Sequence, residues 1–369
     1  MKKIKKRGAV LFLVLLLVLV SGFFTISTAA ATQAGLETPV TMEISYGFGD
    51  TARADRYLQV NVTLENQTDA AFRGSLRILT TESSLEVYQY EYPTGLLAGE
   101  KKTQLLGLPL GVKTDQLFVS LIDEKGTEIL KKRLKLNISS DITESFVGVF
   151  SDTPEQLQFL DEVGIHYGSI KTKQVLLDAA TAPQDLLGYD QMDLILVSDY
   201  DLNRLSEAQY QALDGWVKAG GTLLLGGGER CQETLGRFAT ELLEHAPGFL
   251  PEGRVNLGME YAVQGPEDAV LTLPCAEVDL KNGSSLMQGD QFPILSYVNR
   301  KKGRIVVAAF ALDEIRTFCE EHPAFTEKFY TLVLGESKTE ERSQMEYYGF
   351  SRLYFAVLLQ KKKTSKSIE

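Results

Sequence analysis

Two side chains of this sequence have the chemistry for nucleophilic catalysis: a thiol at Cys231 and an imidazole at His322. Cys231 follows a glycine-rich run at the predicted start of a helix, and a helix N-terminus lowers the pKa of a thiol. His322 precedes Pro323 at another predicted helix start, and an imidazole within reach of the thiol would accept its proton. The alternative, which we favour, is a buried or incidental Cys231 and a surface His322.

Polar and glycine residues follow several predicted strands at the point where each strand ends. The carboxyl ends of parallel strands meet at one edge of a sheet, where ligands bind in open α/β folds. We therefore predict a ligand-binding crevice at that edge. Its members are Ser151, Asp152, Ser198, Asp199, Gly226, Gly227, Gly228, Glu229 and Asp313.

The three glycines and the carboxylates of this crevice each have two interpretations. A glycine-rich turn before a helix can hold an anion with its N–H groups, or it can be a tight turn that strand–helix packing requires, which we favour. No Lys-Ser/Thr pair follows the turn, so it is not a nucleotide-binding P-loop. Carboxylates could bind a divalent cation, but we favour solvated side chains and predict neither a metal site nor a cofactor. The carboxylates in question are Asp152, Asp199, Glu229 and Asp313.

Residues 145–335 must position these side chains, because short apolar runs alternate there with helical patterns. Ser206 is a predicted N-cap of an amphipathic helix. A glycine-rich stretch at about 254–300 indicates a β-rich insertion, and residues 323–335 form a closing helix. The alternation predicts a parallel sheet covered on both faces. Its buried strands are predicted at 146–150, 194–197, 222–225 and 304–310.

Residues 38–140 have a different pattern, in which apolar and polar residues alternate as a half-buried strand requires. Residues 57–64 and 134–138 are examples, and turn signals such as Asp123-Glu124-Lys125-Gly126 separate the runs. Strands at this spacing, with no helical period between them, predict an immunoglobulin-like β-sandwich of about 100 residues. This module contains no catalytic cluster, and we interpret it as a spacer or docking domain.

The N-terminal residues 1–31 have the pattern of an export signal. Five basic residues occur in 1–7, an uninterrupted apolar run occupies 9–20, and Ala29–Ala31 supply small residues for a signal peptidase. Extended to Ile26, the apolar stretch is about 18 residues long, near the lower limit for a membrane span. Cleavage and retention as an N-terminal membrane anchor both remain open. In either case the body of the chain is exported.

The C-terminal tail, residues 336–369, contains an apolar and aromatic stretch that ends at Lys361–Lys363. This stretch is too short to span a bilayer as a helix. It could lie on a membrane surface, or it could pack against the α/β domain, which we favour.

The net charge of −11 comes from 49 acidic and 38 basic residues, and the basic ones are enriched at both ends. An acidic body argues against nucleic acid or an anionic membrane surface as its main ligand. The three cysteines are widely spaced and odd in number, so neither a zinc site nor a full disulfide framework is predicted.

The run from Asp193 through Leu205-Ser206 and Trp216-Val217 to Gly220-Gly221-Thr-Leu-Leu-Leu-Gly-Gly-Gly resembles class I glutamine amidotransferase-like domains of exported bacterial membrane proteins. Residues 303–310, before Asp313, are similar to the last core strand of that family. The resemblance implies a flavodoxin-like parallel α/β sheet behind an N-terminal signal and a β-sandwich.

The resemblance also implies where a catalytic nucleophile and base would stand. The family places its cysteine on a sharp turn after a strand, at the position of Gly228, and its histidine in a His-Pro-Glu after the last strand, at the position of Ala311. Both are missing, so the mechanism is lost. We therefore predict a non-catalytic, exported cell-envelope protein, either membrane-associated or secreted, that uses this domain for ligand binding or for assembly with another envelope or membrane protein. The alternative is a hydrolase with an atypical site at Cys231, Glu229 and Asp199.

Overall fold

The computed structural model describes residues 40–81, 87–111, 113–139, 141, 143–258, 269–289, 291–336 and 338–340. The predicted signal or anchor at 1–31 and nearly all of the tail at 336–369 lie outside these residues. Within the described part of the chain, no helix is both long and apolar enough to cross a membrane. The fold is rich in β-structure and contains several separate sheets.

The first module has two antiparallel sheets that enclose one core. Successive side chains of a strand point to opposite faces of the sheet, so every second apolar side chain enters the core. In β3, for example, Leu58, Val60, Val62 and Leu64 have almost no exposed surface. Within the described residues, one sheet has the order β1-β3-β6, the other β5-β4-β7-β8, and β2 pairs with β9. These strands are β1 Val40–Tyr46, β2 Ala52–Arg53, β3 Tyr57–Asn66, β4 Phe72–Thr81, β5 Val87–Leu96, β6 Lys101–Pro109, β7 Gln116–Asp123, β8 Glu128–Lys135 and β9 Ile138–Ser139.

The second module is built on an eight-stranded sheet, counted over the described residues, with the order β11-β12-β10-β13-β14-β19-β18-β17. Five neighbouring strands of this sheet, β12-β10-β13-β14-β19, are parallel to one another. Numbered by their order in the chain, they lie across the sheet in the order 2-1-3-4-5. The strands are β10 Glu144–Phe150, β11 Gly164–Ile165, β12 Ile170–Leu177, β13 Leu194–Val197, β14 Thr222–Gly226, β17 Ser284–Gln288, β18 Pro293–Arg300 and β19 Gly303–Ala308.

The edges of this sheet correct the prediction of a wholly parallel sheet. Strand β11 runs antiparallel to β12, and β17 and β18 run antiparallel to each other and to β19. The insertion begins earlier than predicted, because β15 Gly248–Asn256 already pairs with β16 Val270–Glu277 as a separate ribbon. The second half of the insertion therefore extends the main sheet instead of standing apart from it.

The helices of the second module include one that the sequence placed correctly. Helix α1, Glu207–Ala219, begins with a capping box in which Ser206 and Gln209 bond each other's backbone N–H groups. The segment after β10 forms a 3-10 helix, Pro154–Leu160, in which Leu157 and Leu160 are buried. The others are α2 Cys231–Leu235, α3 Phe238–Leu242, α4 Arg316–Glu321 and α5 Pro323–Leu334.

The two modules meet through buried arginines of the first. The Arg53 guanidinium lies 2.7 Å from the Asp193 carboxylate and also donates to the carbonyl oxygens of Gln191 and Glu144. Arg56 donates to the carbonyl oxygen of Asp190 at 3.1 Å. Both arginines are less than a tenth exposed. The modules therefore share a desolvated polar interface.

Candidate functional site

The residues predicted to line a crevice lie at the carboxyl edge of the eight-stranded sheet. Asp152 follows β10 and Asp199 follows β13, and these adjacent strands flank the point where the strand order reverses. The Asp152 N–H donates to the carbonyl oxygen of Asp199 at 3.2 Å. The structure therefore brings these two acidic residues together at the position where open α/β sheets bind ligands.

Two arginines that the sequence analysis did not single out neutralise these carboxylates. Arg204 donates two hydrogen bonds, of 2.5 and 2.8 Å, to the Asp152 carboxylate. Arg230 lies 2.6 Å from a carboxylate oxygen of Asp199 and 3.3 Å from Asp152, and it also bonds Glu233 at 2.7 Å. The hydrogen bond from Arg204, more than any other contact, lowers the pKa of Asp152. The predicted acidic edge is thus an ion-pair network.

The other two carboxylates of the predicted set, Glu229 and Asp313, have different surroundings. Among the described residues, no group of three or more histidine, cysteine, aspartate or glutamate side chains is arranged to hold a metal ion. Glu229 is exposed and makes no ion pair within the described part of the chain. One carboxylate oxygen of Asp313 is buried without a hydrogen-bond partner among the described residues.

The glycine turn is a packing turn. The N–H of Gly227 donates to the carbonyl oxygen of Phe310 at 2.9 Å, and the N–H of Gly228 donates to that of Ala309 at 3.1 Å. Both donors are therefore used by the segment after β19 and cannot hold an anion. Gly228 also has a φ of 74°, which side chains other than glycine rarely adopt.

The two serines of the predicted crevice also have structural contacts. Ser198 is buried, and its hydroxyl accepts a hydrogen bond from the Leu312 N–H at 2.9 Å. This bond ties the end of β13 to the segment after β19. Ser151 accepts a hydrogen bond from the Thr153 N–H at 3.1 Å, which shapes the turn after β10.

The structure does not bring Cys231 and His322 together. Along β13, Ile195 and Val197 face the apolar cluster that contains Cys231, whereas alternate residues face the cluster that contains Phe318, the ring partner of His322. The two candidates therefore belong to opposite faces of the sheet. Burial raises the pKa of the Cys231 thiol to about 12. The expected lowering at a helix N-terminus is wrong, because desolvation outweighs any effect of the five-residue helix α2.

A cavity of about 330 Å³ opens at the opposite, amino edge of the sheet. It lies beside the interface of the two modules and combines apolar side chains with charged groups that are already paired. No local pattern indicates it, because its walls come from six separate parts of the chain. Its lining includes Arg56, Ile165, Ile170, Leu186, Leu187, Asp190, Met192, Asp193, Trp216, Leu334 and Lys338.

Residues 39–137 match a family described as a domain of unknown function, DUF8726. No curated protein matches the chain. Among solved structures, the chain is similar to a beta-glucosidase from Listeria innocua in complex with isofagomine, at 15% identity and a TM-score of 0.20 over 27% of this chain and 16% of that one. It is also similar to the alkylpurine DNA glycosylase AlkC of Pseudomonas fluorescens, at 12% identity and a TM-score of 0.23 over 29% and 32% of the two chains.

A third similar structure is a CARDB domain from Pyrococcus furiosus in complex with di-metal ions. It is 10% identical, with a TM-score of 0.22, over 28% of this chain and 96% of that one. The chain spans less than a third of the length of the glucosidase and of the glycosylase. Likenesses of this extent assign no activity to the chain.

Proposed function

We propose that this chain is a non-catalytic, exported cell-envelope protein that assembles with another envelope or membrane protein. In this proposal an immunoglobulin-like sandwich precedes a flavodoxin-like domain that is a degenerate relative of the class I glutamine amidotransferases. The observation that carries it is the meeting of Gly228 and Ala311. A Cβ placed on Gly228 would lie 3.3 Å from the Cβ of Ala311. These are the two positions at which the resembled family has its cysteine and its histidine.

The strand order supports the flavodoxin-like assignment. The order 2-1-3-4-5 of the parallel strands is that of flavodoxin-like sheets. The reversal between β10 and β13 then defines the crevice, which is where Asp152 and Asp199 lie. Arg204 and Arg230 occupy this position with ion pairs, so the crevice presents a structured polar surface and not an open catalytic pocket.

The alternative hydrolase would need Cys231 as a thiolate with Glu229 and Asp199 near it. A thiol with a pKa of about 12 is almost wholly protonated near pH 7. The Asp199 carboxylate accepts a hydrogen bond from Arg230 at 2.6 Å, so it is already paired and is not placed to take a proton from a reacting group. These contacts favour the binding function over the hydrolase.

Assembly is tested by crosslinking the full chain in its native cells, followed by affinity purification and mass spectrometry. We expect one or a few envelope proteins to be enriched, with recovery reduced by Arg204→Glu at the crevice. Lys101→Glu is the control, because Lys101 is also exposed and ion-paired but lies on β6 of the first module. No enriched envelope protein would contradict the assembly function. Turnover of acyl or amide substrates that Cys231→Ser abolishes would instead support the hydrolase.

A further inference from the structure

The charge of this protein is divided unequally between its modules. Residues 141–340 carry 32 acidic and 15 basic side chains, whereas residues 40–139 carry 13 acidic and 12 basic ones. The acidity that characterises the whole chain therefore belongs to the second module. The first module is almost neutral. Its net charge does not show how its basic and acidic side chains are distributed over its surface.

The outer face of the sheet β5-β4-β7-β8 carries five of the twelve basic residues of the first module. Leu76, Ile78 and Val119 point into the core, so their neighbours along β4 and β7 point outward. The register places Arg77 opposite Ser120, and Ser120 opposite Lys131, in one outward row. We call this surface the basic face. Its basic members on the described strands are Arg73, Arg77, Lys131, Arg133 and Lys135.

Only part of this charge is neutralised within the described residues. Lys131 lies 3.6 Å from Glu128, and Arg77 lies 3.8 Å from Glu91. Arg133 bonds the neutral amide of Gln116 at 2.8 Å. The half-buried Phe118 lies between these groups, with the Lys131 ammonium 6.0 Å from its ring centroid. Basic side chains beside a half-buried aromatic ring are typical of surfaces that contact lipid headgroups.

The position of this module in the chain points to the same partner. Only fourteen positions separate Ile26, at the end of the N-terminal apolar stretch, from Val40 in β1. A fully extended chain of that length spans at most about 50 Å. A retained apolar segment would therefore hold the sandwich near a bilayer, while the acidic second module would be repelled from an anionic surface.

We propose that the basic face of the sandwich binds the anionic phosphate headgroups of the membrane. The inference rests on the proposed envelope location but does not depend on the missing catalysis or on the assembly partner. It revises the expectation that an acidic body avoids anionic membranes, because the acidity lies on the other module. Binding orients the molecule, with the sandwich at the bilayer and the crevice away from it.

Lysine acetylation of the full chain in lipid nanodiscs tests this contact. We expect Lys131 and Lys135 to be acetylated several-fold more slowly in discs rich in phosphatidylglycerol than in phosphatidylcholine discs, and to lose that protection at about 0.5 M salt. Lys101 and Lys102 are exposed on the other sheet and serve as internal controls. Equal rates at Lys131 and Lys135 in the two kinds of disc would overturn the proposal.

A pair of substitutions and a soluble phosphate polymer test whether the protection comes from the basic face and from the membrane. Arg133→Gln should reduce the protection of Lys131 and Lys135 while the protein keeps its melting temperature, whereas Arg254→Gln, an exposed arginine of the second module, should leave it intact. Soluble polyphosphate added without anionic lipid distinguishes a free phosphate polymer from a membrane. Protection by polyphosphate without protection in anionic discs would also overturn the proposal. Neither result bears on recovery of an assembly partner, so the two proposals fail separately.

Discussion

Gly228 faces Ala311 across the carboxyl edge of the sheet, and a Cβ on Gly228 would lie 3.0 Å from the Ala311 nitrogen and 3.3 Å from its Cβ. The close approach follows from two backbone hydrogen bonds that tie Gly227 and Gly228 to the segment after β19. Any side chain at position 228 would need space between these two segments. Here the backbones occupy it.

Replacing Gly228 by alanine should destabilise the protein more than replacing Gly126. Both glycines have positive φ, but a Cβ on Gly126 would meet nothing within 4 Å. We expect about 1 kcal/mol for Gly126→Ala from backbone strain alone, and roughly 2 kcal/mol or more for Gly228→Ala, where crowding adds to strain. Urea unfolding followed by fluorescence measures both. Equal losses would show that the contact with Ala311 carries no energy.

The three cysteines should be unreactive in the native protein. All three are buried, and burial raises the pKa of Cys231 and Cys319 to about 12 and that of Cys275 to about 11. The reactive thiolate is thus a minute fraction near pH 7. Titration with a chromogenic disulfide reagent should modify almost no thiol per chain until denaturant is added. Rapid labelling of Cys231 in the folded protein would revive the hydrolase alternative.

Arg53→Ala should strongly weaken the coupling of the two modules. The substitution leaves Asp193 without the guanidinium at 2.7 Å and leaves two carbonyl oxygens without their donor. Breaking a buried pair costs about 3 kcal/mol or more when the partner is left uncompensated, and we expect somewhat less here because Arg56 lies 3.5 Å from the same carboxylate. Differential scanning calorimetry should show a lower first transition that separates from the second. Arg73→Ala, at an exposed site of the same module, should change stability by less than about 0.5 kcal/mol.

Stability should decline as the pH falls through the acid range, in part because of Asp152. Its pKa is lowered in the folded protein, chiefly by Arg204, so its contribution is present above the unfolded pKa and is lost as the pH falls through the folded value. The pair is about a third exposed or more, so we expect at most about 1 kcal/mol. Urea unfolding of Asp152→Asn between about pH 2 and pH 6 should give a flatter profile than the parent. Identical profiles would assign the acid sensitivity to other carboxylates.

Local signals in the sequence located several features of the structure well. The capping box at Ser206 and Gln209 marked the start of α1, because side-chain bonds to the first turn depend only on residues three apart. The apolar runs marked β10, β13, β14 and β19, and the residues after them do lie along one edge of the sheet. The period of two in residues 57–64 likewise marked β3.

Features that depend on distant partners were not visible in the sequence. Nothing near Arg230 shows that it will meet Asp199, and nothing near Arg53 shows that it will be buried against Asp193, 140 positions away. The sequence predicted a lowered pKa for Cys231, whereas burial raises it. Desolvation depends on which distant residues cover the thiol, and the local sequence does not show them. The antiparallel edges of the sheet also arise from pairings that strand patterns do not specify.

The sequence by itself determined where β3, β10, β13, β14, β19 and α1 form, and which of these strand ends carry polar residues. These properties are local, because they depend on side-chain period, capping and residue identity. Only the tertiary structure decided that Gly228 lies against Ala311, that Arg204 and Arg230 pair with the aspartates after β10 and β13, and that five basic side chains share one face of the first module. Such relationships arise when the sheet register brings residues together that the chain keeps far apart, and Coulomb and desolvation energies depend on those distances.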